Sequence, residues 1–322
     1  MMRTNYALTS QRGAALLSVL VVSIILSLLL AGASELMQRR LSLADLSTSQ
    51  LNEKAAITAK VNELTYLAST QRITRAGVSQ GNNKEALQKL DGQWTAYLTG
   101  DEIRADGHIY KEENVNGQDL TLRYSLQAEN GLIPVNTSDQ FWVRKWLTAN
   151  GADTSDVSIL ASRLADYADA DEWSRPAGAE ARQYQREDLP VPPNYLLQSC
   201  SELHQVLGWK ELLDENDDMT AECSLLRSSD VNVNAIPIEL WRKLWPSSAD
   251  KIKRMRDNNQ WLLNYNDVLG VIPSVNGIPE PYFGLITYRG LYIEVAGPTV
   301  TESVKVVVQK GELPPFRRFK DR

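Results

Sequence analysis

From Ala14 to Ala33 the chain holds twenty residues with no charge and no proline. That length predicts a helix able to cross the hydrocarbon core of a bilayer once. Beyond it, Leu43, Leu46, Leu51, Ile57, Val61, Leu64 and Leu67 recur at helical spacing, with Asp45, Glu53, Lys54 and Lys60 between them. No proline interrupts residues 14–75. The pattern therefore predicts one continuous helix, 14–33 in lipid and 34–75 packed on a globular domain.

The pattern then changes. Gly77 to Asn83 is a polar loop, and residues 84–90 predict a short helix. In 108–131, Asn116-Gly117 lies between strand-forming residues and predicts a tight hairpin turn. Leu120, Leu122 and Tyr124 alternate with Thr121, Arg123 and Ser125, as in a strand with one buried face. From Asn130 to about Gly270 the spacing is mostly helical and contains an echo. "GLIPVNTSDQFWVRKWL" (131–147) and "SDVNVNAIPIELWRKLWP" (229–246) share a Val-Asn step and a tryptophan-bearing helix, each followed by a second helix. Thr137, Ser138 and Asp139 are expected to cap the first copy and Asn234 the second. Residues 282–295 and 302–312 return to strand. Strands that resume after so long a helical block predict an α+β domain with a helical insertion.

Charge and chemistry narrow the function. The net charge of −6 weighs against a nucleic-acid binder, whose affinity comes largely from neutralising phosphates. Residues 227–257 resemble a helix-hairpin-helix module, with seven Lys/Arg against four acids, but Pro246-Ser247-Ser248 stands where its glycine-rich turn would be. His108 and His204 lack a catalytic context, and there is no G-x-S-x-G, phosphate loop or H-E-x-x-H, so nothing supports an enzyme. Trp142/Trp146 and Trp241/Trp245 are i,i+4 pairs, each on one helix face, expected in the core. Cys200 and Cys223 are a disulfide if the chain is exported and two thiols if it is cytosolic. The stretch 211–222 has six acids and no base, and reads as a soluble loop beside Cys223.

The apolar run admits three fates. "LAGA" at 30–33 offers an A-x-A signal-peptidase site, although the run exceeds the usual length of such signals. It is also an ordinary anchor by length, with Arg3 and Arg12 before it and Arg39 and Arg40 after it, so flanking charge leaves the orientation open. Finally, a leader ending "QRG" directly before it resembles that of type IV pilins and pseudopilins, which implies cleavage between Gly13 and Ala14 with retention of the helix. Those families usually carry Glu at the fifth mature position; here it is Ser18, an absence associated with the pseudopilin at the filament tip.

The stretch "SRLADYADADEWSRPAGAEARQY" (162–184) resembles the hallmark of the general secretion pathway protein K family, the large minor pseudopilin of type II secretion. "NYLLQSCSELHQVLGW" (194–209), "DVNVNAIPIELWRKL" and "YFGL" resemble further family segments in the expected order. The resemblance implies an α+β pilin-like fold, in which a long N-terminal transmembrane helix packs on a small antiparallel sheet and a large α-helical domain is inserted. Its expected division is leader 1–13, membrane part 14–33, periplasmic helix 34–75, pilin-like part 76–130, helical insertion 131–272, and final strands and tail 273–322. It further implies a non-enzymatic protein of the inner membrane, single-pass with its bulk in the periplasm, and later at the pseudopilus tip. The implied partners are the I- and J-type minor pseudopilins, the major pseudopilin, the assembly platform and the prepilin peptidase, with no nucleic acid. Export would make Cys200–Cys223 a disulfide. The family also implies calcium in the helical domain. Seven acids lie in 166–188, with Asp169, Asp171 and Glu180 as candidate ligands, all oxygen donors of the kind calcium takes. Ala181, Arg182 and Gln183 stand where relatives carry further acids. Alternative readings are a minor pilin of a type IV pilus or competence system, and a signal-anchored periplasmic binding domain.

Overall fold

The computed structural model describes residues 10–82, 88–90, 93–95, 98–117, 119–216, 218–287, 290–309 and 313–320. The chain divides into two compact units between Ala56 and Ile57. Helix α1 (Ser10–Thr70) supplies the described part of the first and opens the second. In the first unit, the apolar side chains from Leu16 to Leu30 are exposed, and the helix is long and apolar enough to cross a membrane. Leu43, Leu46 and Leu51 are exposed as well, contrary to the expected packing, whereas Ile57, Val61 and Leu64 are buried. Helical spacing alone does not separate a stripe that meets a sheet from one left open.

The helix stops at Thr70 and not at 75. The hydroxyls of Thr65, Ser69 and Thr70 bond back to the carbonyls of Val61, Thr65 and Tyr66, and Ile73 already bridges Val78. Strand β1 (Gly77–Ser79) follows, with β2 (Gln88–Leu90), β3 (Gln93–Thr95) and β4 (Glu102–Arg104). β1 pairs antiparallel with β4. Gly77 has φ 153°, and a Cβ there would lie 2.1 Å from the Ile103 carbonyl oxygen, so the strands approach this closely only at glycine. β2 pairs with β3, so residues 88–90 are strand where a helix was expected; 84–87 lie outside the described residues.

β5 (Tyr110–Glu112) and β6 (Leu122–Ala128) form the expected hairpin with Tyr110 opposite Tyr124. Their connection is not a tight Asn-Gly turn. It runs from 113 to 121 through a 3-10 turn at Val115–Gly117, drawn in by the buried Val115, whose N–H bonds Leu120 O at 3.2 Å. β6 belongs to an antiparallel five-stranded sheet, ordered β13 (Phe316–Lys320), β12 (Thr301–Val308), β11 (Gly290–Ala296), β6, β5. Its buried face carries Leu122, Leu126, Leu291, Ile293, Val295, Val304 and Val306. The second-unit part of α1 is tied to this sheet at several strands. Lys60 pairs with Glu112 of β5 at 2.6 Å and lies over the Tyr124 ring of β6, while Arg318 of β13 donates to Asn62 and Thr65.

Between β6 and β11 the chain makes the helical domain. Its elements are β7 (Ile133–Pro134), α2 (Phe141–Ala149), α3 (Thr154–Tyr167), α4 (Ala181–Arg186), α5 (Lys210–Glu215), α6 (Met219–Glu222), β8 (Cys223–Ser224), β9 (Val231–Asn232), α7 (Ile238–Leu244), α8 (Ala249–Asp257), α9 (Tyr265–Val271) and β10 (Phe283–Gly284). The acidic stretch before Cys223 thus forms short helices and not a plain loop. Phe283, expected at the start of the returning strands, is buried in the helical core beside Trp142 and Tyr265. The domain therefore extends past 272, to about Leu285.

The sequence echo is a structural repeat. β7 pairs parallel with β8, and Val135 N–H donates to Ser224 O at 3.0 Å; β9 pairs parallel with β10, and Val233 N–H donates to Gly284 O at 2.9 Å. The next residue in each copy is a buried asparagine. Asn136 Nδ2 donates to Leu197 O (2.8 Å) and Leu225 O (3.3 Å), and Oδ1 accepts from Leu197 N–H (2.9 Å). Asn234 repeats this on Leu262 O (2.9 Å), Leu285 O (3.3 Å) and Leu262 N–H (3.0 Å). Asn234 is therefore a main-chain clamp and not a helix cap; Pro237 precedes α7. Downstream of each clamped leucine comes a capping box, Ser199 with Glu202 and Asn264 with Asp267.

All four paired tryptophans are buried. Trp142 meets Trp245 edge-on at 5.9 Å, and Trp241 lies 5.0 Å from Trp245. Truncating a buried tryptophan to alanine costs about 3–5 kcal/mol. Several basic residues of the second copy are paired within the chain, some of them at the surface. Lys243 pairs with Glu222 (2.8 Å) and Asp218 (2.9 Å), Lys253 with Asp257 (2.8 Å), and Arg242 with Glu239. Arg256 has a fully buried side chain and joins the helical domain to the β4–β5 segment. It pairs with Asp106 at 3.1 Å, donates to Val233 O (2.9 Å) and Ile236 O (2.8 Å), and lies over the Trp241 ring. Burial pulls its guanidinium down to about 10, against the opposing pull of Asp106, so it stays charged at neutral pH.

Candidate functional site

Between α3 and α4 the chain folds around one carboxylate. Asp166, in the last turn of α3, is wholly buried and accepts from Arg175 N–H (3.1 Å) and Arg175 Nη1 (2.7 Å). A Cβ at Gly178 would fall 1.9 Å from Asp166 Oδ2, so this return of the loop requires glycine. Arg175 Nη1 also bonds Asp169, and a single guanidinium thus bridges two carboxylates. These contacts explain the Asp and Arg of the "DYADADEWSRP" segment as a self-folding loop. Sequence reasoning counted Asp166 among the acids but missed its pairing with Arg175.

The three candidate ligands fare differently. Asp171 Oδ1 accepts from Trp173 N–H at 2.8 Å, and Trp173 is 84% exposed. Asp169 gives Oδ2 to Arg175, while its Oδ1 is buried without a hydrogen-bond partner. Glu180, just before α4, is buried and forms a capping box with Gln183, in which its backbone N–H reaches Gln183 Oε1 at 3.2 Å; its carboxylate oxygens make no closer hydrogen bond. Burial, reinforced by Asp166, Asp169, Asp171 and Glu172, pushes its carboxyl up to about 7. Among the described residues no three His, Cys, Asp or Glu side chains converge closely enough to hold an ion. The loop presents several carboxylate oxygens, those of Glu180 among them. It does not bring Asp169, Asp171 and Glu180 together as one ligand set. Beside it lies a cavity of about 460 Å³, lined by Ala168, Asp169, Arg175, Tyr195 and Arg227 among others.

The second acidic stretch is structural. Glu222 is buried between Trp146 Nε1 (2.7 Å) and Lys243, and Cys200 and Cys223 form a disulfide with Cα atoms 6.0 Å apart. Closing the loop between cysteines 23 positions apart lowers the entropy of the unfolded chain, a stabilisation of about 3 kcal/mol in the loop-entropy model. At the other end of the chain, Gly13 and Ala14 lie within α1.

The whole is an α+β pilin-like architecture: a long apolar N-terminal helix, an antiparallel sheet, and a helical domain inserted between β6 and β11. Residues 119–215 match the family model described as "Type II secretion system (T2SS), protein K". A solved structure, "The Crystal Structure of the GspK-GspI-GspJ complex from enterotoxigenic Escherichia coli Type 2 Secretion System", contains a chain of similar fold. The TM-score is 0.50 at 10% identity, covering 88% of this chain and 99% of that one. No curated protein matches the chain. The family match covers residues 119–215 only, and the solved structure adds a likeness of fold.

Proposed function

We propose that this protein is a non-enzymatic minor pseudopilin at the tip of a type II secretion pseudopilus. There it nucleates or limits filament assembly for export of proteins across the outer membrane. The observation that carries this reading is a membrane-length apolar helix continuous with the helix of a pilin-like domain, into which a protein K helical domain is inserted. Residues 14–33 hold the protein in the inner membrane with its bulk in the periplasm, and prepilin peptidase cuts between Gly13 and Ala14. A carboxylate inside a bilayer needs a partner, and Ser18 removes that need, as suits a subunit with none above it. The I- and J-type minor pseudopilins are its direct partners, as in the complex of similar fold. The major pseudopilin and the assembly platform act later. Calcium is the finer part of this proposal: Glu180 and Asp169 Oδ1 are candidate donors, and joining them with Asp171 on one ion would require the loop to rearrange, because the three do not converge.

The test is affinity capture of the tagged full-length chain from detergent-solubilised inner membranes of cells expressing the I- and J-type subunits. Recovery of both in constant ratio is expected. Recovery of neither, or of type IV pilus minor pilins in their place, contradicts the assignment.

A further inference from the structure

Strand β13 ends the five-stranded sheet, and among the described residues no strand lies on its outer side. The ladder shows where its backbone groups point. Gln309 N–H donates to Pro315 O at 2.7 Å, and the register sets Arg317 opposite Val307 and Phe319 opposite Lys305. Antiparallel pairs alternate, so residues 315, 317 and 319 direct their backbone groups to β12, and 316, 318 and 320 direct theirs outward. Such a row of outward N–H and C=O groups is a template for a further strand.

Side-chain charge says which strand fits. The segment reads FRRFK, with Arg317, Arg318 and Lys320 and no acid, in a chain of net charge −6. Phe319 is half exposed and Arg317 exposed. A second copy of β13 laid alongside would set cation against cation, which destabilises a strand pair. An acidic strand meets opposite charge and the outward backbone groups together.

We propose that β13 is a docking edge for an acidic, extended segment of another polypeptide, added to the sheet as a further strand. The inference does not depend on the secretion assignment. Its test uses the full chain in detergent and a short labelled peptide of alternating Glu and Val, followed by fluorescence anisotropy. Saturable, salt-sensitive binding is expected, with slowed hydrogen exchange at the Phe316 and Arg318 amides. Arg318→Pro removes an outward N–H without touching the β12 ladder and should weaken binding about tenfold or more, roughly the worth of one hydrogen bond. Arg318→Ala keeps that N–H and should weaken it less than the proline does. Arg317→Glu, an exposed change that leaves the backbone intact, should also weaken binding at least about tenfold. No saturable binding, equal binding of a Lys-Val peptide, or unchanged binding to Arg317→Glu would overturn the proposal.

Discussion

The paired asparagines make the sharpest test of how the helical domain is held. Asn136 and Asn234 each join two main-chain segments through three hydrogen bonds, at 2.8–3.3 Å for Asn136 and 2.9–3.3 Å for Asn234. Alanine at either position leaves one buried N–H and two buried carbonyls without their partner. At about 1 kcal/mol for each orphaned group, the loss is about 3 kcal/mol. For a unit of this size that lowers the melting temperature by about 6–12 °C. Aspartate separates the chemistry from the shape. It keeps the acceptor for the leucine N–H but points a second oxygen, and a charge, at two carbonyls, so it should be worse than alanine. Thermal and urea unfolding followed by circular dichroism measure both variants at each site. A loss under about 1 kcal/mol for either alanine variant would refute the clamp. So would an aspartate variant no worse than alanine.

Two further predictions follow from buried charge. Arg256→Met removes one of the two cations on Asp106, leaving Arg104, and orphans the carbonyls of Val233 and Ile236, and should cost about 2–3 kcal/mol in urea unfolding. The added change Asp106→Asn should cost less in that background than alone, and strict additivity would exclude the pairing. For Glu180, the folded carboxyl sits at about 7, above its ordinary 4.5. A raised acid holds its proton in the folded state, so its contribution is full below about pH 4.5 and is lost as pH rises through 7. Without calcium, Glu180→Gln should therefore raise the melting temperature at pH 8 and have little effect of this kind at pH 4. Calcium should stabilise the parent protein at pH 8 far more than the variant. Equal stabilisation of both, or none of either, would remove Glu180 from any cation site.

Local patterns made much of the architecture legible. The apolar run of α1 and the alternation of Leu122 and Tyr124 with polar neighbours are short-range signals, and each appears as helix or strand, although Leu120 lies just before the strand. The Val-Asn echo was visible, but its use was not. A capping asparagine and a clamp on a distant backbone look alike until Leu197 and Leu262 are in place. The same limit applies to Arg256, whose partner Asp106 is 150 positions away. Phe283 is in a strand, as its sequence suggests, but in the short β10 paired with β9 inside the helical domain, and its ring belongs with Trp142. In the acidic loop the sequence supplied the donors, while only the fold shows that Arg175 already occupies Asp166 and Asp169. Exposure of Leu43, Leu46 and Leu51 was hidden for a similar reason: a helical stripe does not name what covers it.

The central claim, that this is a pseudopilin whose apolar helix outlives its leader, is tested most directly by intact-mass and N-terminal peptide mass spectrometry of the protein from inner membranes. The account predicts a mature chain that begins at Ala14 and keeps the rest of α1. A chain beginning at Ser34, or one retaining Met1 in cells with active prepilin peptidase, would contradict it.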